Sequence, residues 1–397
     1  MTDSAAPTTT AGAAPAAPAA RRPPGRIATA WSLVSVPFTA VVLGLFVGGL
    51  IIVASTWFAT QVFDVTLPFV AYAAMFEGAL GSTTGISNAL VQTAPLLLAG
   101  LAVGICFKAG LFNIGAYGQF LFGALGAAAV GAALAESNAT LAIVSAILAG
   151  VVLGGAWGFV PGFLKATTGA HEVVTTIMLN FIAATIIGAL VVGPLLGPGV
   201  ASETADVGNA ALPVIFGRNL HLGVVVAFAF VPIVYWLLWK TTFGFEVRTV
   251  GASPTAARYA GMRPGRVIVV TMTWAGAMAG LAGAGEILGI SHSMSASFGT
   301  SIGFDAIAVA LLGRAHPFGI MAAALLFGVM RAGAGLMQIN ASVPVEIVDV
   351  IQAVILFFLA ADVIVRALLK LLHLRAGEAS VDELRTITAS YGQQTGR

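Results

Sequence analysis

The stretch SLVSVPFTAVVLGLFVGGLIIVAST, residues 32–56, contains no charged side chain. A helix of roughly 20 apolar residues crosses a hydrocarbon core about 30 Å thick, so this stretch predicts a transmembrane helix. The rest of the 397-residue chain has the same character, with 58% hydrophobic and 9% charged residues. Soluble domains carry about 25% charged residues. The apolar runs are continuous rather than alternating, which argues against a β-barrel, and we predict an all-α polytopic membrane protein.

About ten transmembrane helices are expected from the apolar runs. The eighth run is too short to cross a membrane unaided, so we expect residues 296–337 to hold a broken helix or a re-entrant segment. The predicted spans are 32–56, 89–107, 116–134, 140–162, 173–193, 222–239, 268–288, 303–314, 318–337 and 347–366.

The positive charges give the spans an orientation. With the N-terminus inside, every one of the 18 Lys and Arg residues except Arg218 and Arg331 falls on the cytoplasmic side. This bias is the positive-inside rule, and it predicts that both termini are cytoplasmic. The net charge of +2 favours no nucleic-acid partner, and the single cysteine, Cys106, excludes an intrachain disulfide and a cysteine metal cluster.

Three regions are predicted along the chain. Residues 1–26, rich in Ala, Pro and Thr, are expected to form a disordered cytoplasmic tail. Residues 27–370 are expected to form the transmembrane domain, and residues 371–397 a cytoplasmic C-terminal tail. The largest basic connection between spans is the loop 240–266.

That loop contains the signals of a short helix. Ser253 suits the N-cap, Pro254 the first helical position, and Gly261 a left-handed termination. Ala256 and Ala257 favour helix, and Arg258 and Tyr259 would be presented on the cytoplasmic side. The helix could simply anchor the membrane surface, or it could fit a groove on a partner ATPase.

Polar groups inside the spans are the candidate substrate path, because ionisable groups in a membrane normally face the interior of the bundle. The candidates are Asn113, Gln119, Asn180 and Glu286. For the three amides, hydrogen bonding between helices is the other interpretation. No catalytic or metal-binding residue is assigned.

Asp305 and Arg331 are two further charges in the spans. We expect Asp305 to cap the eighth helix. Arg331 could extend outward, or pair with Glu286 or Glu346. Phe112-Asn113 and Phe304-Asp305 begin spans of opposite orientation five helices apart, which suggests an inverted repeat.

Small residues recur every four positions in two spans. Gly154, Gly158 and Gly162 form one series, and Gly276 and Gly280 form another. Such faces let helix backbones approach closely, so tight packing is expected, with a flexible hinge as the alternative.

Four motifs together carry a resemblance to a known family. They are FNIGAYGQ (112–119), EVVTTIMLN (172–180), GASPTAARYAG (251–261) and GFDAIAVALLG (303–313). In this order, within residues 90–365, they resemble the permease subunits of bacterial ABC importers for nucleosides and simple sugars, in the group that includes ribose and branched-chain amino acid permeases. Tyr117 and His171 depart from the acidic residue and the Asn usual in the family.

The resemblance implies that the cytoplasmic loop is a coupling helix seated in the ATPase subunit. The residues carried over to that role are Gly251, Ser253, Pro254, Ala256, Ala257, Arg258, Tyr259 and Gly261. The long chain resembles the larger permease of the nucleoside branch. Its implied partners are a second, shorter permease in a heterodimer, an ATPase that holds ATP and Mg²⁺, and a substrate-binding lipoprotein.

The function predicted from the sequence is therefore nucleoside import across the bacterial cytoplasmic membrane by alternating access. The chain would be no enzyme itself and would bind no cofactor, since it lacks a G-x-x-x-x-G-K-[ST] phosphate loop. A simple sugar or a branched-chain amino acid is the alternative cargo. An ion-coupled secondary transporter or a channel is the alternative of another class.

Overall fold

The computed structural model describes residues 26–61, 63–199, 202–299 and 301–361. Within this part the chain is almost entirely helical. The helices are α1 (Arg26–Thr60), α2 (Leu67–Leu80), α3 (Thr83–Lys108), α4 (Ala116–Ala133), α5 (Ala139–Thr168), α6 (Glu172–Val192), α7 (Leu222–Lys240), α8 (Thr242–Ala252), α9 (Pro254–Tyr259), α10 (Pro264–Glu286), α11 (Ile302–Leu312), α12 (Pro317–Ala341) and α13 (Glu346–Ala360). A π-helical turn, Ile287–Ser291, continues α10.

Eight of these helices are long and apolar enough to span a membrane, namely α1, α3, α4, α5, α6, α7, α10 with its π-turn, and α12. The two shorter apolar helices are α2 and α11. The all-α polytopic fold is thus confirmed. The prediction of a broken span agrees with α11, which has 11 residues and is joined to α12 by a tight turn. The predicted N-terminal and C-terminal tails lie outside the described residues, apart from Arg26.

Helix α3 lies at the centre of the bundle. In its most apolar stretch of 18 residues 89% is buried, whereas the corresponding share is 22% for α6 on the periphery. Its N-cap residue Ser82 accepts a hydrogen bond from the amide of Gly85 at 3.0 Å, which satisfies one of the free donors of the first turn. An apolar face on a peripheral helix meets lipid rather than water, so the exposed hydrophobic residues of α6 need no further cover.

The two glycine series pack against each other. A Cβ atom at Gly154 would lie 2.5 Å from the carbonyl oxygen of Gly276, and one at Gly280 would lie 2.4 Å from that of Gly150. Helices α5 and α10 therefore touch backbone to backbone. The prediction of tight packing is confirmed at this contact.

Two helices were not predicted. Residues 57–88 lie between the first two predicted spans and were assigned no helix, but they contain α2, which packs on α12. The loop 240–266 contains α8 before the predicted short helix. Thr241 is the N-cap residue of α8, and its hydroxyl accepts a hydrogen bond from the amide of Gly244 at 3.1 Å.

The connection 193–221 forms a small folded cap on the opposite side of the bundle. It contains an antiparallel pair of strands, β1 (Val214–Phe216) and β2 (Leu220–His221). Single bridges pair Leu196 with Thr204 and Glu203 with Ser295. The last bridge ties this cap to the segment that precedes α11.

Candidate coupling and translocation sites

Helix α9 has the geometry that its sequence predicts. The hydroxyl of Ser253 accepts from the amide of Ala256 at 3.2 Å, Pro254 opens the helix, and Gly261 has φ +81°. The last value lies in the left-handed region that glycine adopts without strain. Capping, proline placement and glycine termination were each predicted correctly.

One face of α9 is buried and the other is open. Ala257 is fully buried, whereas Pro254, Thr255, Ala256 and Arg258 are exposed. Tyr259 is 90% exposed, an unusual position for a large aromatic side chain. Such a surface suits contact with another protein.

The end of α8 connects this surface to the core of the bundle. A Cβ atom at Gly251 would lie 2.2 Å from the carbonyl oxygen of Lys108, the last residue of α3. Gly110 in turn packs on the backbone of Gly251. A displacement of α8 and α9 would therefore displace the turn that joins α3 to α4, because the two segments are in direct backbone contact.

The three candidate amides lie beside that turn and are buried. Asn113 donates to the Oε1 atom of Gln119 at 3.0 Å and accepts from the amide of Gly115 at 3.0 Å. Asn180 of α6 accepts from the amide of Gly118 at 2.9 Å and donates to the carbonyl of Ile114 at 3.0 Å. The amides thus hold the start of α4 against α6. Their contact with a substrate stays a prediction.

The start of α4 lies at mid-depth in the bundle. Gly118 is level with Asn180, eight residues into α6. At 1.5 Å per residue this is about 12 Å from the basic end of the bundle. The neighbouring helices α5 and α7 end on that side with Lys165 and Lys240 in their last turns.

A cluster of charged residues joins three helices. Arg331 of α12 donates to Asp305 and to Ser301 at the start of α11, and it lies 3.9 Å from Asp349 of α13. Glu286, at the end of α10, lies within electrostatic range of the same guanidinium. Leaving such a charge unpaired in a bilayer costs at least about 2.5 kcal/mol, so the pairing is expected to stabilise this arrangement.

Two predictions about this cluster were wrong. Arg331 pairs with Asp305 and Asp349, not with Glu286 or Glu346. Asp305 lies in the first turn of α11 and Ser301 is the N-cap residue, with no side-chain capping bond. The carboxylate of Asp305 is turned to the guanidinium, a stronger partner than a free amide.

Aromatic rings lie next to the charged cluster. A Cβ atom at Gly303 would lie 2.3 Å from Cα of Tyr117, so the first turns of α4 and α11 are in direct contact. The rings of Tyr117 and Phe304 stack with centroids 5.7 Å apart, and those of Phe120 and Phe298 with centroids 6.4 Å apart. The sequence drew attention to Tyr117 only as a departure from the family.

Residues 299–303, GTSIG, match the G-x-S-x-G spacing of a hydrolase nucleophile. Within the described residues, however, Ser301 is bonded by Arg331 rather than by a histidine base. A serine nucleophile needs such a base to accept its proton. The described residues also contain no group of three or more metal-ligating side chains.

A multi-pass helical bundle with an exposed short helix, α9, and buried polar side chains has the architecture of a membrane transport subunit. It belongs to the family of permease components of the branched-chain amino acid transport system type, whose profile matches residues 85–360. The chain is thus a multi-pass protein of the cell membrane and a transport component rather than an enzyme.

Similar proteins are known from several microbes. The guanosine ABC transporter permease protein NupP of Bacillus subtilis is 38% identical over 83% of this chain and 94% of its own length. The nucleoside permease NupB of Lactococcus lactis is 35% identical over 87% and 96%. The glucose permease TsgB13 of Haloferax volcanii is 36% identical over 85% and 89%.

A second Bacillus subtilis guanosine permease, NupQ, is 26% identical over 60% of this chain and 78% of its own length. No solved structure matches the chain.

Proposed function

We propose that this chain is the membrane-spanning permease subunit of an ATP-driven importer for nucleosides. The observation that carries the proposal is the similarity to NupP over nearly the whole of both chains. The similarity to NupB, whose name also specifies nucleosides, supports the same cargo.

The proposed assembly has four kinds of subunit. NupP and NupQ come from one organism and both resemble this chain, which supports a second, different permease beside it. An ATPase would hold ATP and Mg²⁺ at the cytoplasmic side, and an extracellular lipoprotein would deliver the nucleoside. The exposed face of α9 is the surface proposed to enter the ATPase.

The mechanism proposed is alternating access driven through α9. Closure of the ATPase would move α9 and the end of α8, and the close contact between Gly251 and Lys108 would pass this movement to the α3–α4 turn. The amides Asn113 and Asn180 fix the start of α4 to that turn and to α6. A small displacement at the cytoplasmic side would thereby reach the mid-depth region.

The variant Arg258→Glu tests the coupling role. Arg258 is exposed on α9, so its replacement should leave membrane insertion and folding unchanged. Reversal of its charge at the proposed contact should reduce co-purification of the ATPase and nucleoside uptake by at least about tenfold. The matched control is Arg258→Lys, which keeps the positive charge at the same position and should retain both. Normal uptake in Arg258→Glu would refute the coupling role.

A simple sugar is the second candidate cargo, favoured by the similarity to the glucose permease TsgB13. Uptake measured in membrane vesicles with radiolabelled guanosine and radiolabelled glucose separates the two. The nucleoside proposal requires ATP-dependent uptake of guanosine or another nucleoside that excess glucose does not inhibit.

A further inference from the structure

The first turns of α4 and α11 form an open aromatic surface at mid-depth. Phe304 is 51% exposed although it stacks on Tyr117, so one face of this ring pair remains accessible. An accessible ring face at this depth, flanked by polar groups, is able to stack on another flat ring.

The neighbouring charges contain a surplus of acceptors. Among the described residues around this cluster, Asp305 and Asp349 share the guanidinium of Arg331, and Glu286 lies within its electrostatic range without pairing with it. The side chain of Asp349 is 59% exposed. Because ionisable groups in a membrane normally face the interior of the bundle, we expect Arg331 and Asp305 to face a polar path.

A flat ring beside several carboxylates is complementary to one chemical class of ligand. The ring can stack on an aromatic base, and the carboxylates can accept hydrogen bonds from the hydroxyl groups of a sugar. Because a sugar is neutral, these hydrogen bonds bring no further charge into the membrane. A nucleoside combines both parts. A branched-chain amino acid offers neither.

We propose that this surface is the nucleoside-contact site of the membrane path, with Phe304 and Tyr117 stacking on the base and Glu286 and Asp305 accepting the ribose hydroxyls. Arg331 is a positioning residue that holds Asp305 at the start of α11. The assignment rests on the proposed function, since it assumes a nucleoside as cargo.

Cysteine labelling tests whether the surface is on the path. The single native cysteine, Cys106, is fully buried, so an introduced cysteine is the accessible thiol. In proteoliposomes of the complete importer, Phe304→Cys should react with a water-soluble methanethiosulfonate reagent. Nucleoside in the presence of binding protein and ATP should slow this labelling by about fivefold or more, as expected for a site that the cargo occupies.

The control is Phe181→Cys on peripheral helix α6, where the native side chain is 67% exposed. This position should face lipid, react slowly and show no protection by nucleoside. The proposal is overturned if position 304 reacts no faster than position 181, or if nucleoside gives it no protection.

Uptake by ring variants provides the second test. Phe304→Leu keeps an apolar side chain but removes the ring, and it should lower nucleoside turnover by about tenfold, whereas Phe304→Tyr should stay near the wild type. Glu286→Gln should lower turnover similarly, and Glu346→Gln, outside the cluster, should not. Equal turnover in Phe304→Leu and Phe304→Tyr would contradict the stacking role.

Uptake by the wild-type importer distinguishes an error in the proposed cargo from an error in the proposed contact site. If it takes up glucose but no nucleoside, the proposed cargo is wrong. If it takes up nucleosides and all Phe304 and Glu286 variants match it, the cargo stands and only the assignment of this surface fails.

Discussion

His221, at the start of α7 on the side of the folded cap, is a buried histidine without a hydrogen-bond partner on either ring nitrogen among the described residues. Its ring lies against the backbone of Gly289, where a Cβ atom would be 2.4 Å from Cε1. Burial lowers the pKa of His221 below its ordinary value of 6.5, and the nearby His292 lowers it further. The folded protein therefore binds this proton less readily than the unfolded chain.

The resulting pH dependence can be measured. Well above pH 6.5 the imidazole is neutral in both states and contributes no pH dependence. As the pH falls below 6.5, the unfolded chain is protonated first, so stability should decrease until the folded pKa is passed. His221→Leu should show a smaller fall in unfolding temperature between neutral pH and about pH 5 than the wild type. An unchanged fall in His221→Leu would contradict this account.

Among single residues, the sequence identified polar candidates better than it identified their partners. Asn113, Gln119 and Asn180 were selected as candidates for the substrate path, and the structure shows the hydrogen bonds of the other interpretation. The partner of Arg331 could not be predicted, because α11 begins at mid-depth and brings Asp305 beside a residue 26 positions later. Only the tertiary position of the short helix α11 brings Asp305 close to Arg331.

At the scale of the element, α9 was predictable because its signals are local. A cap, a proline and a terminating glycine lie within nine residues and act on their own backbone. Helix α2 was missed because its 14 residues are too few to cross a membrane and lie in a connection between spans. Its position depends on distant contacts: a Cβ atom at Gly333 of α12 would lie 1.9 Å from the carbonyl oxygen of Met75.

The glycine contact between α5 and α10 makes a prediction for a pair of variants on one helix. Gly280→Ala would place a methyl group 2.4 Å from the carbonyl oxygen of Gly150, so the two backbones must separate. Overpacking of this kind costs about 1–3 kcal/mol, and the thermal unfolding midpoint should fall.

The matched control for that variant is Gly285→Ala, since nothing lies within 4 Å of a Cβ atom at this position of α10. Both changes replace glycine by alanine in the same helix, so helix propensity cancels in the comparison. If the two variants unfold at the same temperature, the close approach of α5 and α10 does not limit stability.

For the whole molecule, the two sides of the bundle have different structures. One side carries the basic ends of α3, α5 and α7 together with the exposed α9, and the other carries the small folded cap between α6 and α7. The positive-inside rule assigns the basic side to the cytoplasm. The proposed energy input at α9 and the proposed cargo entry at the cap would therefore lie on opposite sides of the bundle, as alternating access requires.

This arrangement predicts that the chain accumulates no solute alone. It has no phosphate-loop sequence, and Asp305 of the charged cluster is paired with Arg331. Purified protein in proteoliposomes should therefore fail to concentrate nucleoside, whereas the set with ATPase, second permease, binding protein and ATP should succeed. A protonophore that collapses the proton gradient should leave that uptake intact while ATP is supplied. Accumulation by the isolated chain, or its arrest by the protonophore, would instead indicate an ion-coupled secondary transporter.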